Sequence, residues 1–139
     1  MILKKINSVV DNIFRNLSFF SKLCLRVSLG IAFIIHGISK FPLPPQKLID
    51  YFGFSPILAS FVAISELLAG TFLILAGFLK NNLGDFITRI SSFVIIVIMI
   101  CAFYIAHQDW FISTKLFTSE QIFLLIIGIF FFINGNNNS

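Results

Sequence analysis

Five ionisable side chains lie inside or at the ends of long apolar runs, and they are the residues best able to do chemistry. His36 sits in the run LCLRVSLGIAFIIHGISKF (23–41), with Arg26 ahead of it and Lys40 behind it. Glu66 interrupts a second run, and Glu120 stands at the head of a fourth. An imidazole and two carboxylates can hold and pass protons, bind a polar headgroup, or clamp helices together. Inside a bilayer a charge at a helix centre costs about 2.5–3.5 kcal/mol on insertion scales, so each group needs a partner or a use.

Their depths follow from a helical rise of about 1.5 Å per residue. His36 falls roughly 6 Å to the outer side of the centre of its span, Glu66 about 3 Å, and Glu120 about 7 Å. The three are therefore expected to converge in the outer half of a helical bundle, with Glu66 as the natural partner of His36. Such a pair serves equally as a clamp that fixes helix register or as a site that binds a headgroup or relays protons. With a single histidine the set is a poor metal site. Arg26 approaches the inner interface, where snorkelling accounts for it, and Lys40 and His107 belong to the outer rim as anchors.

The elements that must position these groups are membrane helices. Of 139 residues, 58% are hydrophobic and 12% charged, against about 25% charged in a soluble domain. Mean hydropathy is +0.98. The net charge of +4 comes from basic residues flanking the apolar runs, a topology signal rather than a nucleic-acid surface. Cys24 and Cys101 are far apart, which argues against a disulfide framework or a dithiol relay.

The expected organisation is an all-α membrane protein, a four-transmembrane-helix antiparallel bundle preceded by an N-terminal amphipathic helix. Residues 1–21 carry Ile2, Ile6, Val9, Ile13, Leu17 and Phe20 at helical spacing, while Lys4, Lys5, Asn12, Arg15 and Asn16 fall largely elsewhere. They read either as a helix lying on the membrane surface or as an extension of the first span. No small-x-small cleavage site follows the first apolar run, so this segment does not read as a cleavable signal. The membrane domain, 22–134, has spans at about 23–41, 57–79, 86–106 and 116–134, followed by a polar tail, 135–139.

Pro42, Pro44 and Pro45 stop the first span. In the connector, Pro45 and Gly53 bracket a short helix, and Ser55 with Pro56 starts the second span. Trp110 and Phe111 fit an interfacial belt, and Thr118 with Gln121 has capping-box spacing. Small residues predict the contact faces: Ala59, Ala63, Glu66, Gly70 and Gly77 on span two, Ser28, Ala32, His36 and Ser39 on span one. Seven basic residues fall on the side of the termini and three on the other, which places both termini in the cytoplasm.

The run LRVSLGIAFIIHGISK (25–40), the connector residues Tyr51, Phe52, Gly53 and Pro56, and SELLAGTFLILAGFL (65–79) resemble the DoxX family of small membrane proteins. The likeness covers about residues 22–133, is carried by the first two spans, and leaves the N-terminal segment outside. It implies a four-span bundle in the bacterial inner membrane, with Arg26, His36, Lys40 and Glu66 as the matched polar positions. It also implies partnership with a membrane redox complex, the family being named for a subunit of a thiosulfate:quinone oxidoreductase. A quinone or quinol is then the candidate cofactor, although no cofactor motif is evident and catalysis by this chain alone is not implied. The expected partners are the lipid bilayer, other membrane or redox proteins and further copies of the chain as a homo-oligomer, with no nucleic acid. A small proton-coupled transporter using Glu66, or a non-catalytic scaffold, are the alternatives.

Overall fold

The first proline-free apolar stretch forms one long helix, and the computed structural model, which describes residues 1–15 and 17–136, places it at one wall of a helical ring. Helix α1 spans Ile2–Phe14, α2 Leu17–Ile38, α3 Gln46–Phe52, α4 Pro56–Ala76 and α5 Asn82–Ala106. A 3-10 turn at Gln108–Ile112 and the short α6, Lys115–Thr118, lead into α7, Gln121–Asn134. All regular elements among the described residues are helical.

Local chemistry sets most boundaries. The prolines after Phe41 end α2. Pro45 sits at the N-cap of α3, and Gly53, with φ 67°, closes it. The Ser55 hydroxyl accepts a hydrogen bond from the Leu58 N–H at 3.2 Å, and Pro56 takes the first position of α4. Asn81 caps α5 by accepting from the Gly84 N–H at 2.9 Å, so that helix starts four residues before the expected Phe86.

Two differences from the expected layout, the start of α2 and the division of the fourth apolar run, have physical reasons. α2 begins at Leu17, because Leu17–Lys22 contains no breaker, and α1 is a separate helix with no buried residue. Asn16, expected on the polar side of the N-terminal segment, lies outside the described residues. The fourth apolar run is divided at Ser119, which is extended, and the Thr118–Gln121 capping box does not form. The Thr118 hydroxyl instead donates to the Lys115 carbonyl at 3.4 Å.

Three helices, α2, α4 and α5, are long and apolar enough to cross a membrane. Their 22, 21 and 25 residues make lengths of about 33, 32 and 38 Å, against a hydrocarbon core of about 30 Å. α7, with 14 residues, reaches only about 21 Å. α2 packs on α4, α4 on α5 and α5 on α7, while α2 and α7 meet more lightly to close the ring. The interior holds Leu29, Phe33, Leu73, Ile95, Met99, Leu124 and Phe131. Large apolar side chains such as Ile57, Phe61, Phe93 and Ile126 point outward, the arrangement of a bundle solvated by lipid.

The α2–α4 seam is the tightest. A Cβ on Gly37 would lie 2.7 Å from the Leu67 backbone nitrogen, and one on Gly70 would meet the Gly30 carbonyl and lie 3.0 Å from the Ile34 nitrogen. The contact face of α2 is therefore Arg26, Gly30, Phe33 and Gly37. Ser28 and Ser39, expected on it, are exposed. The face turned because the backbones approach where α2 has no Cβ. On α4 the expected stripe holds, with Ala59, Ala63, Glu66 and Gly70 buried and Gly77 half-buried.

Gly70→Leu is expected to cost about 1–3 kcal/mol through overpacking against α2, whereas Ser28→Ala should stay within about 0.5 kcal/mol. Thermal unfolding of the purified protein in a mild detergent measures both.

Candidate functional site

Because Arg26, Gly30, Phe33 and Gly37 face α4, the next residue on that line is Lys40, two residues past the end of α2. Its aliphatic stem folds back along the seam, and its ammonium donates to the Glu66 carboxylate and, at 3.3 Å, to the His36 carbonyl. Glu66 is 6% exposed and is the middle residue of α4. A carboxylate there is tolerable because the ammonium is delivered to it. Lys40 is thus no rim anchor.

His36 lies about 100° round the helix from Gly37 and faces α7 instead. Its Nε2 is 3.1 Å from Oε1 of Glu120, the residue at the N-cap of α7. With Glu120 ionised, the bond requires the proton on Nε2. This pair is open, with side chains 40% and 62% exposed. The expected pairing of His36 with Glu66 is therefore corrected: Lys40 takes Glu66, and His36 takes Glu120. Nearby in sequence, the Gln121 Oε1 is buried and has no hydrogen-bond partner among the described residues.

The four residues form one polar tier at the Lys40 end of the bundle, half sealed and half open. It offers N–H donors on Lys40 and His36 and proton acceptors on Glu66 and Glu120. Among the described residues no three His, Cys, Asp or Glu side chains are grouped to hold a metal ion, and Glu66 is turned away from His36 and Glu120 to Lys40.

A second tier closes the other end. Arg26 is 6% exposed rather than snorkelling to the interface. Its Nη1 donates to the Leu73 carbonyl at 2.8 Å and to the Thr88 hydroxyl at 2.9 Å, and its Nη2 donates to the Asn136 Oδ1 at 2.6 Å. Its guanidinium carbon stands 4.6 Å from the centre of the Phe131 ring. Thr88 also donates to the Asn136 Oδ1 at 2.8 Å, and the Asn136 amide donates to the Ala76 and Leu79 carbonyls at 2.7 and 3.0 Å. Asp85 accepts from the Asn136 backbone N–H and from Arg89, each at 2.9 Å. Arg89 in turn donates to the Phe132 and Ile133 carbonyls, where a cation suits a helix C-terminus.

Asn136 is the residue that reasoning from sequence missed. The tail from Gly135 was expected to be only a polar end, yet Asn136 ties α2, α4 and α5 together; residues 137–139 lie outside the described residues. The only hint was an asparagine directly after Gly135, whose φ of 58° turns the chain back onto the bundle. Cys24 and Cys101 are exposed and free, and His107 stacks on Trp110 at 3.6 Å.

The sequence model of the DoxX family matches residues 21–108. That stretch includes Arg26, His36, Lys40, Glu66 and Thr88, whereas Glu120 and Asn136 lie beyond it. No curated protein and no solved structure matches the chain.

Lys40→Met alone should destabilise the protein by about 3–5 kcal/mol, since it leaves Glu66 buried without its cation. The double variant Lys40→Met, Glu66→Gln is expected to recover most of that loss, and a thermal double-mutant cycle reads the difference. Asn136→Ala should cost about 1–3 kcal/mol by stripping acceptors from Arg26 and Thr88, seen as a lower unfolding midpoint.

Proposed function

The chain belongs to the DoxX family, and from that premise we propose that it is a membrane-embedded subunit or partner of a quinone-linked redox complex. The observation that supports this best is the buried Lys40–Glu66 pair lying beside the open His36–Glu120 pair. Ionisable groups in a membrane bundle tend to mark substrate or proton paths. A quinone headgroup carries two carbonyl acceptors, and this tier holds two N–H donors next to two carboxylates, so the residues present fit it. The quinone would supply the electron chemistry. Lys40 and His36 would orient its carbonyls, and Glu66 or Glu120 would take or give the accompanying proton. The buried seam behind Lys40 would keep water from Glu66.

In this proposal α7, extended by α6, is the fourth crossing, with both termini on the cytoplasmic face of a bacterial inner membrane. α1 would lie in that interface. Its Ile2, Leu3, Ile6, Val9, Val10, Ile13 and Phe14 occupy one side of the helix, and Lys4, Lys5, Asn7, Ser8, Asp11, Asn12 and Arg15 the other. A proton-coupled transporter is the second reading, favoured by the position of Glu66 at the centre of α4.

Glu66→Gln, made on the Lys40→Met background so that no charge is left unpaired, separates the two. With its partner proteins present, the redox reading expects loss of quinol-dependent turnover and no proton-driven uptake in proteoliposomes of either form. Wild-type uptake that the variant abolishes supports the transporter. Unchanged turnover in the variant would remove the site from the proposal.

A further inference from the structure

Two buried side-chain polar atoms have no hydrogen-bond partner among the described residues, the Ser92 hydroxyl and the Gln121 Oε1. An unpaired buried acceptor is costly, so each calls for an explanation. Ser92 is 0% exposed, sealed inside the bundle. Gln121 is placed differently, for it follows directly on Glu120, whose side chain is 62% exposed. It is the first residue of α7 and shares that helix's buried face with Leu124, Gly128 and Phe131. Phe131 lies against the Arg26 guanidinium, and ten residues back along α7 is about 15 Å. On the antiparallel α2 that rise leads to His36 and Gly37, the register that also sets Glu120 against His36. Gly37 in turn lies against Leu67, the neighbour of Glu66. Gln121 therefore belongs to the Lys40 tier, on its interior side, and adds an acceptor that no cation holds. The two carboxylates there are already engaged, Glu66 by Lys40 and Glu120 by His36. What this neutral oxygen needs is an O–H or N–H brought in from outside.

We propose that Gln121 is a ligand-positioning residue whose Oε1 accepts a hydrogen bond from a hydroxyl of a quinol, so that the tier favours the reduced form of the couple over the oxidised one. This rests on the quinone reading of the same tier and names which redox form it is built to hold. A quinone offers carbonyl acceptors alone, which suit Lys40 and His36 but leave Gln121 unanswered. A quinol keeps the same ring and oxygen spacing and carries two O–H donors. One hydroxyl can donate to the Gln121 Oε1 while its oxygen still accepts from Lys40 or His36. A site with a buried acceptor rejects the analogue that lacks the matching O–H, because the acceptor then stays unpaired.

Gln121→Met keeps the length of the side chain and removes the acceptor. The full chain in lipid nanodiscs is titrated anaerobically with decylubiquinol and, separately, with decylubiquinone, and its unfolding midpoint is measured without ligand. The expected result is a quinol Kd about fivefold to tenfold weaker in Gln121→Met, the worth of one hydrogen bond, with the quinone Kd moved by less than about twofold. The midpoint should be unchanged or higher, because the variant buries no unpaired oxygen. A Gln121 that only holds the bundle together would instead lower the midpoint and weaken both forms alike. That outcome, or an unchanged quinol Kd, overturns the proposal and leaves the quinone site standing. Binding of neither form by the wild type removes the quinone reading and the role of Gln121 with it.

Discussion

An apolar bundle cannot leave a charge unanswered, and the way this chain answers its own charges organises everything else. Two polar tiers staple the helices, one around Arg26 and one around Lys40 and His36. Arg26 and Lys40 are fourteen residues apart on one chain, about 21 Å along a helix axis. Between them the interior is mostly apolar, with Leu29, Phe33, Leu73 and Ile95 nearly or fully sealed and Ser91 and Ser92 of α5 as buried polar exceptions. Dispersion and shape hold that middle layer, but they discriminate poorly among helix registers in lipid, where no hydrophobic force gathers helices. The tiers fix the register because a shift of one turn would strand a charge at both ends at once.

The α2–α4 seam joins the tiers. Gly30 and Gly37 let α4 come close enough that Arg26 reaches the Leu73 carbonyl and Lys40 reaches Glu66. The three side chains and the Leu73 carbonyl belong to α2, its C-terminal continuation and α4, so one close backbone seam positions both ends. α7 is then added through its own ends: Glu120 to His36 at one, and Asn136 to Arg26 and Thr88 at the other. Along its length this 14-residue helix packs on α5 through Leu124, Gly128 and Phe131.

Much of this was legible in the residues. Apolar runs, prolines and the Ser55–Pro56 cap gave three long helices and the connector helix, because those signals act within a few residues. The α4 contact stripe was legible because Ala59, Ala63 and Gly70 are small and share one face with Glu66. Partner choice was not. Depth along a helix suggested His36 for Glu66, but the azimuth decided otherwise, and the azimuth of α2 depends on where α4 can approach. Asn136 was hidden for a related reason. Its role depends on Gly135 folding the chain back onto Arg26, a contact between residues 110 positions apart that no local pattern announces.

The two tiers differ in kind, and the difference bears on where change can occur. Around Arg26, one guanidinium is met by neutral oxygens, and Asn136 uses its carboxamide and backbone N–H together, so motion there breaks several bonds at once. Around Lys40 the bonds are between ionisable side chains, Lys40 with Glu66 and His36 with Glu120. His36 and Glu120 are open to their surroundings, while Glu66 is buried against the Lys40 side chain. A polar ligand entering from the open side would meet His36 first, and competing for Lys40 would loosen the bond that holds Glu66. The end rich in neutral hydrogen bonds is therefore the more heavily tied, and the end built of ionisable pairs is the one that stands partly open.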